Sequence, residues 1–503
     1  MRCSCVARML LLVAVTTAAP VWAQSPSPAR RAVAQIRQVL EEILADPELD
    51  GARVGVHVRS IDDDRVLFDH HGDRPFNPAS NMKLLTTAAA LHELGPTYVF
   101  RTEVRRDPEL SDGTLKGNLY VEARGDPFLT TENLFGLVNE IALRGIDRIE
   151  GQVWVDDSFF DGVTEGPGWA EETGDPAYAA PIGAFSVNFN TYVLRVLPGA
   201  AIGEPVHAEV WPDVGLIEPV VHATTRGPMT PTRLWAGTSV PKPDHVQVLL
   251  RGHVALDDHD GALVRRRVHN PTRYAAAMLG RLLDMRGIDV RGGIRRKECP
   301  DEDETVPVTT HYSRPLADIV SALNKYSNNF IAEQILKTLG AEVHGAPGTW
   351  AKGTQVVQTF VEQLGVPEDH FVFGNGSGLN DVNRVSPRLV AQVLSHMHRR
   401  TDLRPEFVSS LAVAGESGTI HGRFRDTLAQ TRLRAKTGSL TGVSALSGYV
   451  ATQDDEVLAF SVMMNDYDGS PRRMWRIQDR IGVALAEVGT SQALAEQQAT
   501  GVP

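Results

Sequence analysis

With three cysteines in 503 residues, the chain has no material for a disulfide scaffold. Cys3 and Cys5 sit at the extreme N-terminus, and Cys299 lies in the polar run Arg295-Arg296-Lys297-Glu298-Cys299-Pro300, where a surface thiol is the simplest reading. Long apolar runs are missing as well: Met9 to Ala18 falls short of the roughly 20 residues that a spanning helix needs, and no later segment is long or apolar enough to span. Positive charge is in deficit, with 50 Lys and Arg against 62 Asp and Glu, which argues against a nucleic-acid partner. Metal-type spacing such as His-Glu-x-x-His does not occur, and His70-His71 beside Asp69 and Asp73 reads as a solvated turn. Neither an internal repeat nor a low-complexity tract is present.

What is present begins with an export signal. Arg2 and Arg8 form a basic start, Met9 to Ala18 is apolar, and Val21 and Ala23 supply small residues ahead of Gln24, so residues 1–23 are expected to be a signal peptide and the mature chain periplasmic. Val54, Val56 and Val58 alternate with Gly55, His57 and Arg59, and Val66-Leu67-Phe68 follows, which predicts a hairpin. From Asn81 to Leu94 apolar residues surround nearly the whole helix, so it is expected at the centre of a domain. Between Pro96 and Arg267 short β-like runs predominate, among them Leu119-Tyr120-Val121 and Val246 to Leu250. Helical patterns return at Tyr274–Arg286, Leu316–Lys325, Asn329–Leu339, Thr354–Leu364 and Pro387–Arg399. Three antiparallel strands follow, Leu433–Thr437, Val443–Val450 and Val457–Met464, then a helix from Pro471 to Glu487.

Three short motifs carry chemistry. Ser80-Asn81-Met82-Lys83 places a hydroxyl and an amine on one helix face, where a lysine with a lowered pKa can deprotonate the serine. A second match, Ser239-Val240-Pro241-Lys242, contains Pro241 and is followed by Pro243, which exclude a regular helix. Ser327-Asn328-Asn329 lies between two helices, where Ser327 can relay a proton and Asn329 can bind a peptide bond. Ser186-Val187-Asn188 matches the same spacing but lacks flanking helices. Lys436-Thr437-Gly438-Ser439 sits on a strand, where a cation and a hydroxyl can grip a carboxylate and Gly438 can admit a substrate backbone.

The three motifs in this order are the set shared by penicillin-binding proteins and class A β-lactamases. With Asn77-Pro78-Ala79 before Ser80, the Gly125-Asp126-Pro127 turn, Gly376-Ser377-Gly378-Leu379 and Arg384-Val385-Ser386-Pro387, the chain resembles the class C low-molecular-mass penicillin-binding proteins, the D-alanyl-D-alanine carboxypeptidases and endopeptidases. That family places extra domains between its first two motifs, which fits the long gap from Ser80 to Ser327. The resemblance implies an α/β penicillin-binding, serine β-lactamase-like transpeptidase fold with an antiparallel sheet flanked by helices. Residues 24–95 and 268–490 would form the catalytic domain, 96–267 an inserted β-rich region and 491–503 a flexible tail. It further implies Ser80 as nucleophile, Lys83 as base, Ser327 as proton relay, Asn329 as ligand of a substrate amide, and Lys436 with Thr437 as carboxylate clamp beside Gly438. The backbone N–H groups of Ser80 and Ser439 would bind the oxyanion. Substrates would be peptidoglycan stem peptides, with β-lactams as covalent inhibitors and no metal or organic cofactor. A β-lactamase or esterase using the same trio, and a catalytically weak peptidoglycan-binding scaffold, are the rival readings. Glu416-Ser417-Gly418-Thr419 departs from the family's usual Asp-Gly-Thr, and no role is assigned to it.

Overall fold

The computed structural model describes residues 28–242 and 245–489. The expected signal peptide and C-terminal tail lie outside the described residues. No helix among the described residues is long and apolar enough to cross a membrane.

A six-stranded sheet, antiparallel throughout, organises the catalytic unit. Its order is Val66–His70, Arg53–Ser60, Val457–Asn465, Val443–Ala451, Leu433–Leu440 and Ala412–Val413. Strand alternation sends side chains to two separate cores. Val54, Val56, Val58, Leu458, Phe460, Val462 and Met464 pack with the helices Pro28–Leu44 and Pro471–Ala486. Ala445, Tyr449, Ala459 and Met463 face the other way, toward the helix Met82–Leu94. That helix is buried at every residue from Met82 to Leu91, because the helices Leu316–Tyr326, Asn329–His344, Trp350–Gln363 and Pro387–Arg399 share its core.

The insertion has its own core and is more than strands. Leu119–Ala123 pairs in parallel with Val153–Asp156, and Val153–Asp156 with Ile294–Arg296. Parallel neighbours need a crossover that returns the chain to the starting end. The helices Thr131–Leu143 and Pro271–Met285 lie within those two connections. The first of them was absent from the sequence expectation; Thr130 and Asn133 cap it, and Leu134, Leu137, Val138 and Ile141 form its buried stripe.

The boundary expected at residue 268 falls too early. The helix Pro271–Met285 lies in the insertion's core, and Val306–Tyr312 pairs with Arg101–Arg106 at the edge of its five-stranded sheet. The chain rejoins the catalytic core at Leu316. Conversely, Phe160, Trp169, Ala179, Ala180 and Ile182 leave the insertion and pack into the catalytic core.

Candidate active site

Ser80 sits in a single 3-10 turn, Ala79–Asn81, that leads into the helix Met82–Leu94. Ala79 has φ +44°, a left-handed conformation that costs a non-glycine residue about 1–3 kcal/mol and persists only where neighbours enforce it. Asparagines enforce it here. Ala79 N–H donates to Asn77 Oδ1 at 2.8 Å, and Asn77 N–H donates to Asn465 Oδ1 at 2.8 Å. Asn465 Nδ2 donates back to the Asn77 carbonyl at 3.1 Å, and Asn81 Nδ2 donates to Ser447 Oγ at 2.6 Å. The turn is thereby tied to two strands of the sheet.

Two glycines let the surroundings close on it. A Cβ at Gly438 would lie 2.6 Å from the Pro78 carbonyl oxygen, and one at Gly378 would lie 1.8 Å from that of Ala79. Gly438 is thus required by the nucleophile's own turn, apart from any approach of a substrate backbone.

Lys83 lies one helical turn beyond Ser80 and is fully buried. Its Nζ is 3.0 Å from Ser80 Oγ and donates to Asn329 Oδ1 and to the Ser377 carbonyl, each at 2.6 Å. Burial lowers its pKa from 10.5 to about 7, against the attraction of Glu333. A neutral amine has two N–H donors and one lone pair. The two shorter contacts are to acceptors that can only receive, which leaves the lone pair for the Ser80 hydroxyl.

Ser327 is the left-handed residue, φ +58°, between the helices Leu316–Tyr326 and Asn329–His344, and Asn328 caps the second helix through the Ile331 N–H. Lys436, also fully buried, donates to Ser327 Oγ and to the Thr437 carbonyl, both at 2.8 Å. Burial, and then the positive charge of Lys83, hold its pKa well below the usual lysine range. Asn329 Nδ2 donates to the Tyr178 carbonyl at 3.0 Å, so the 160–182 segment that packs into the catalytic core also touches the site.

These groups border a cleft of about 680 Å³ whose wall includes Ser80, Ser327, Asn329 and Ser439. Lys436 stands behind that wall and meets it through Ser327 Oγ. Thr437 Oγ1 donates to Thr419 Oγ1 at 2.8 Å, which brings the unassigned Glu416–Thr419 loop to the same strand. The strand Leu433–Leu440 pairs along its full length with Val443–Ala451, whereas Ala412–Val413 covers only Arg434 and Ala435 on its other side.

The other motif matches lie elsewhere. Ser239 and Lys242 are on the strand Arg233–Lys242, and Ser186 is buried, donating to the Gly183 carbonyl and accepting from Asn190. Asp69 meets both His57 Nδ1 and Arg388, Asp73 accepts from Arg388, and no group of three or more His, Cys, Asp or Glu among the described residues is placed to hold a metal. Cys299 is half-buried rather than on the surface, and burial pushes its thiol up to about 12. The reading missed Glu333, a buried acid in the middle of an apolar helix, for which spacing gives no signal.

The model of the D-Ala-D-Ala carboxypeptidase 3 (S13) family matches residues 36–488. The D-alanyl-D-alanine carboxypeptidase of Actinomadura sp. (strain R39) is 33% identical over 470 residues, covering 91% of this chain and 86% of that protein. D-alanyl-D-alanine carboxypeptidase DacB of Haemophilus influenzae is 27% identical over 424 residues, 83% of this chain and 86% of that one. The crystal structure of penicillin binding protein 4 (dacB) from the same organism superposes with a TM-score of 0.78 at 25% identity, covering 89% of this chain and 99% of that chain. A second crystal structure of that protein, complexed with a β-lactam, gives a TM-score of 0.72.

Proposed function

The chain belongs to the D-Ala-D-Ala carboxypeptidase 3 (S13) family and is a serine-type D-alanyl-D-alanine carboxypeptidase, and on that premise we propose how its cleft performs the reaction. The substrate is a peptidoglycan stem peptide ending in D-Ala-D-Ala. Ser80 Oγ attacks the carbonyl of the penultimate D-alanine while Lys83 Nζ takes the hydroxyl proton. The backbone N–H groups of Ser80 and Ser439 receive the oxyanion, a contribution of about 10² to 10³ in turnover for each such donor. As the tetrahedral intermediate collapses, the amine of the terminal D-alanine leaves and takes the proton that Lys83 received, relayed through Ser327, which Lys436 orients. Water then attacks the acyl-enzyme, returns the proton to Ser80 and releases the shortened peptide.

The observation that carries this reading is the Lys83 amine, 3.0 Å from Ser80 Oγ and held near neutrality by burial. Asn329, fixed by Lys83 and Tyr178, stands on the cleft wall to bind a substrate amide. Thr437 and Ser439 supply hydroxyls for the terminal carboxylate, with the Lys436 amine behind Ser327. A β-lactam presents a strained amide to the same groups, and its leaving amine stays tethered to the acyl-enzyme. The protein works in the periplasm after loss of residues 1–23, which fractionation and N-terminal sequencing of the mature chain would test.

Incubation with a fluorescent penicillin tests the central step. Wild-type protein is expected to form a covalent adduct visible by denaturing gel and intact mass, and Ser80→Ala none. Labelling of both, or of neither, would exclude Ser80 as the acylated residue.

A further inference from the structure

Beneath Ser80 and Lys83 runs the loop Gly374–Gly378, which meets the catalytic groups with its backbone. The Ser377 carbonyl accepts from Lys83 Nζ at 2.6 Å and the Gly376 carbonyl accepts from Thr86 Oγ1 at 2.8 Å. A carbonyl that holds a catalytic amine must itself be held. Gly378 N–H donates to Asn375 Oδ1 at 2.8 Å, and the preceding N–H groups go to Glu333. Glu333 Oε1 accepts the Ser377 N–H at 2.8 Å, while Oε2 accepts the Gly376 N–H at 3.0 Å and Trp350 Nε1 at 2.8 Å. Both peptide planes flanking Ser377 are therefore fixed.

Glu333 is wholly buried, one turn along the helix from Asn329, and a buried carboxylate is costly unless it is paired and hydrogen-bonded. The charges around it are few. Lys83 feels its attraction, and Lys436 stands beyond Lys83 and is repelled by it. Lys337 lies one helical turn further on, bonded to Asp161 and to the Val163 carbonyl, with its Nζ over the Trp350 ring at 4.2 Å. Lys337 has Asp161 as its hydrogen-bonded partner and shares the attraction of Glu333, and Glu333 is the anion whose charge reaches the Lys83 amine.

The geometry points to Glu333 as a positioning residue for acylation: it clamps the Gly376–Ser377 backbone so that the Ser377 carbonyl keeps the Lys83 amine against Ser80, and its charge offsets the proton that Lys83 receives. This inference rests on the reading of Lys83 as the base for Ser80.

The test is the acylation rate of the full chain by a fluorescent penicillin from about pH 5.5 to about pH 9, with Ser80→Ala as the blank. In Glu333→Gln one N–H of the loop meets an amide NH2 instead of an acceptor, and the plateau rate is expected to fall about 10²-fold. Loss of the anion makes Lys83 easier to deprotonate, so the acid limb of the profile should move to lower pH by about one unit. A purely structural Glu333 would lower the plateau and the melting temperature together and leave the acid limb where it is. That result, or a wild-type plateau, would overturn the proposal. Should the Gln variant not fold, Glu333→Asp carries the test, because it keeps the charge and withdraws the carboxylate from the loop. It is expected to lose plateau rate with the limb in place, and an unchanged plateau would refute the clamp. Absence of wild-type labelling, or labelling of the Ser80→Ala blank, would count against the acyl-enzyme reading and not against Glu333.

Discussion

The pH dependence of acylation tests the Lys83 assignment most directly. Lowering the amine's pKa from 10.5 to about 7 disfavours its protonated form by about 5 kcal/mol at 1.36 kcal/mol per unit. At pH 7 an ordinary lysine would be neutral in about one molecule in 3,000, whereas this one is neutral in about half. Between pH 6 and pH 8 the neutral fraction climbs from about one in eleven to about ten in eleven, so the acylation rate should rise about tenfold and then level off. Stopped-flow acylation by a chromogenic cephalosporin, at substrate well below saturation, reads that limb in the free enzyme. A rate that keeps climbing tenfold per unit above pH 8 would mean that burial does not lower the pKa. A rate flat from pH 5.5 to pH 8 would mean that Lys83 is not the base. The same shift has a stability signature. The folded value lies below the unfolded one, so the unfolded chain binds this proton more tightly. Stability is therefore lost as pH falls from 10.5 toward 7, with no further loss from this group below that.

Other outcomes follow from the packing. Ser327→Gly keeps the left-handed backbone and removes the hydroxymethyl side chain, so it should fold like the wild type while peptide turnover drops about 10² to 10⁴-fold, measured as D-alanine release. Gly378→Ala forces a Cβ onto the Ala79 carbonyl at a backbone of φ +77°, and should lower both the melting temperature and penicillin labelling. Cys299 should resist iodoacetamide at pH 8 in the native protein and react once the chain is unfolded in denaturant, as mass spectrometry would show.

The parts of the site legible in the sequence were those whose geometry is local. Ser80 and Lys83 meet because i and i+3 share a helix face, and Ser327 and Asn329 flank a residue that caps a helix. That Lys436 comes to Ser327 across 109 positions followed from motif order and could not be derived from either segment alone. Glu333 was illegible for the opposite reason. Two of its three donors are backbone N–H groups of a loop more than 40 residues away, and backbone donors leave no trace in residue type. The insertion's limits were missed because Asp289–Val290 and Ile294–Arg296 are too short to show a period of two, and their pairing is parallel and non-local. The helix Thr131–Leu143 carries a clear stripe at Leu134, Leu137, Val138 and Ile141, but Gly136 and its strand-rich neighbours obscured it.

The half-covered strand Leu433–Leu440 has one more consequence. From Lys436 to Leu440 no neighbouring strand among the described residues covers its outer side, and such an edge is ordinarily a liability that folds hide or blunt because it templates aggregation. Here the uncovered stretch is only five residues long, and its last residues, Ser439 and Leu440, line the cleft. A single extended chain is the shape that fits such an edge, so the cleft is expected to accept a flexible peptide lying down as the missing strand and to refuse a folded protein surface.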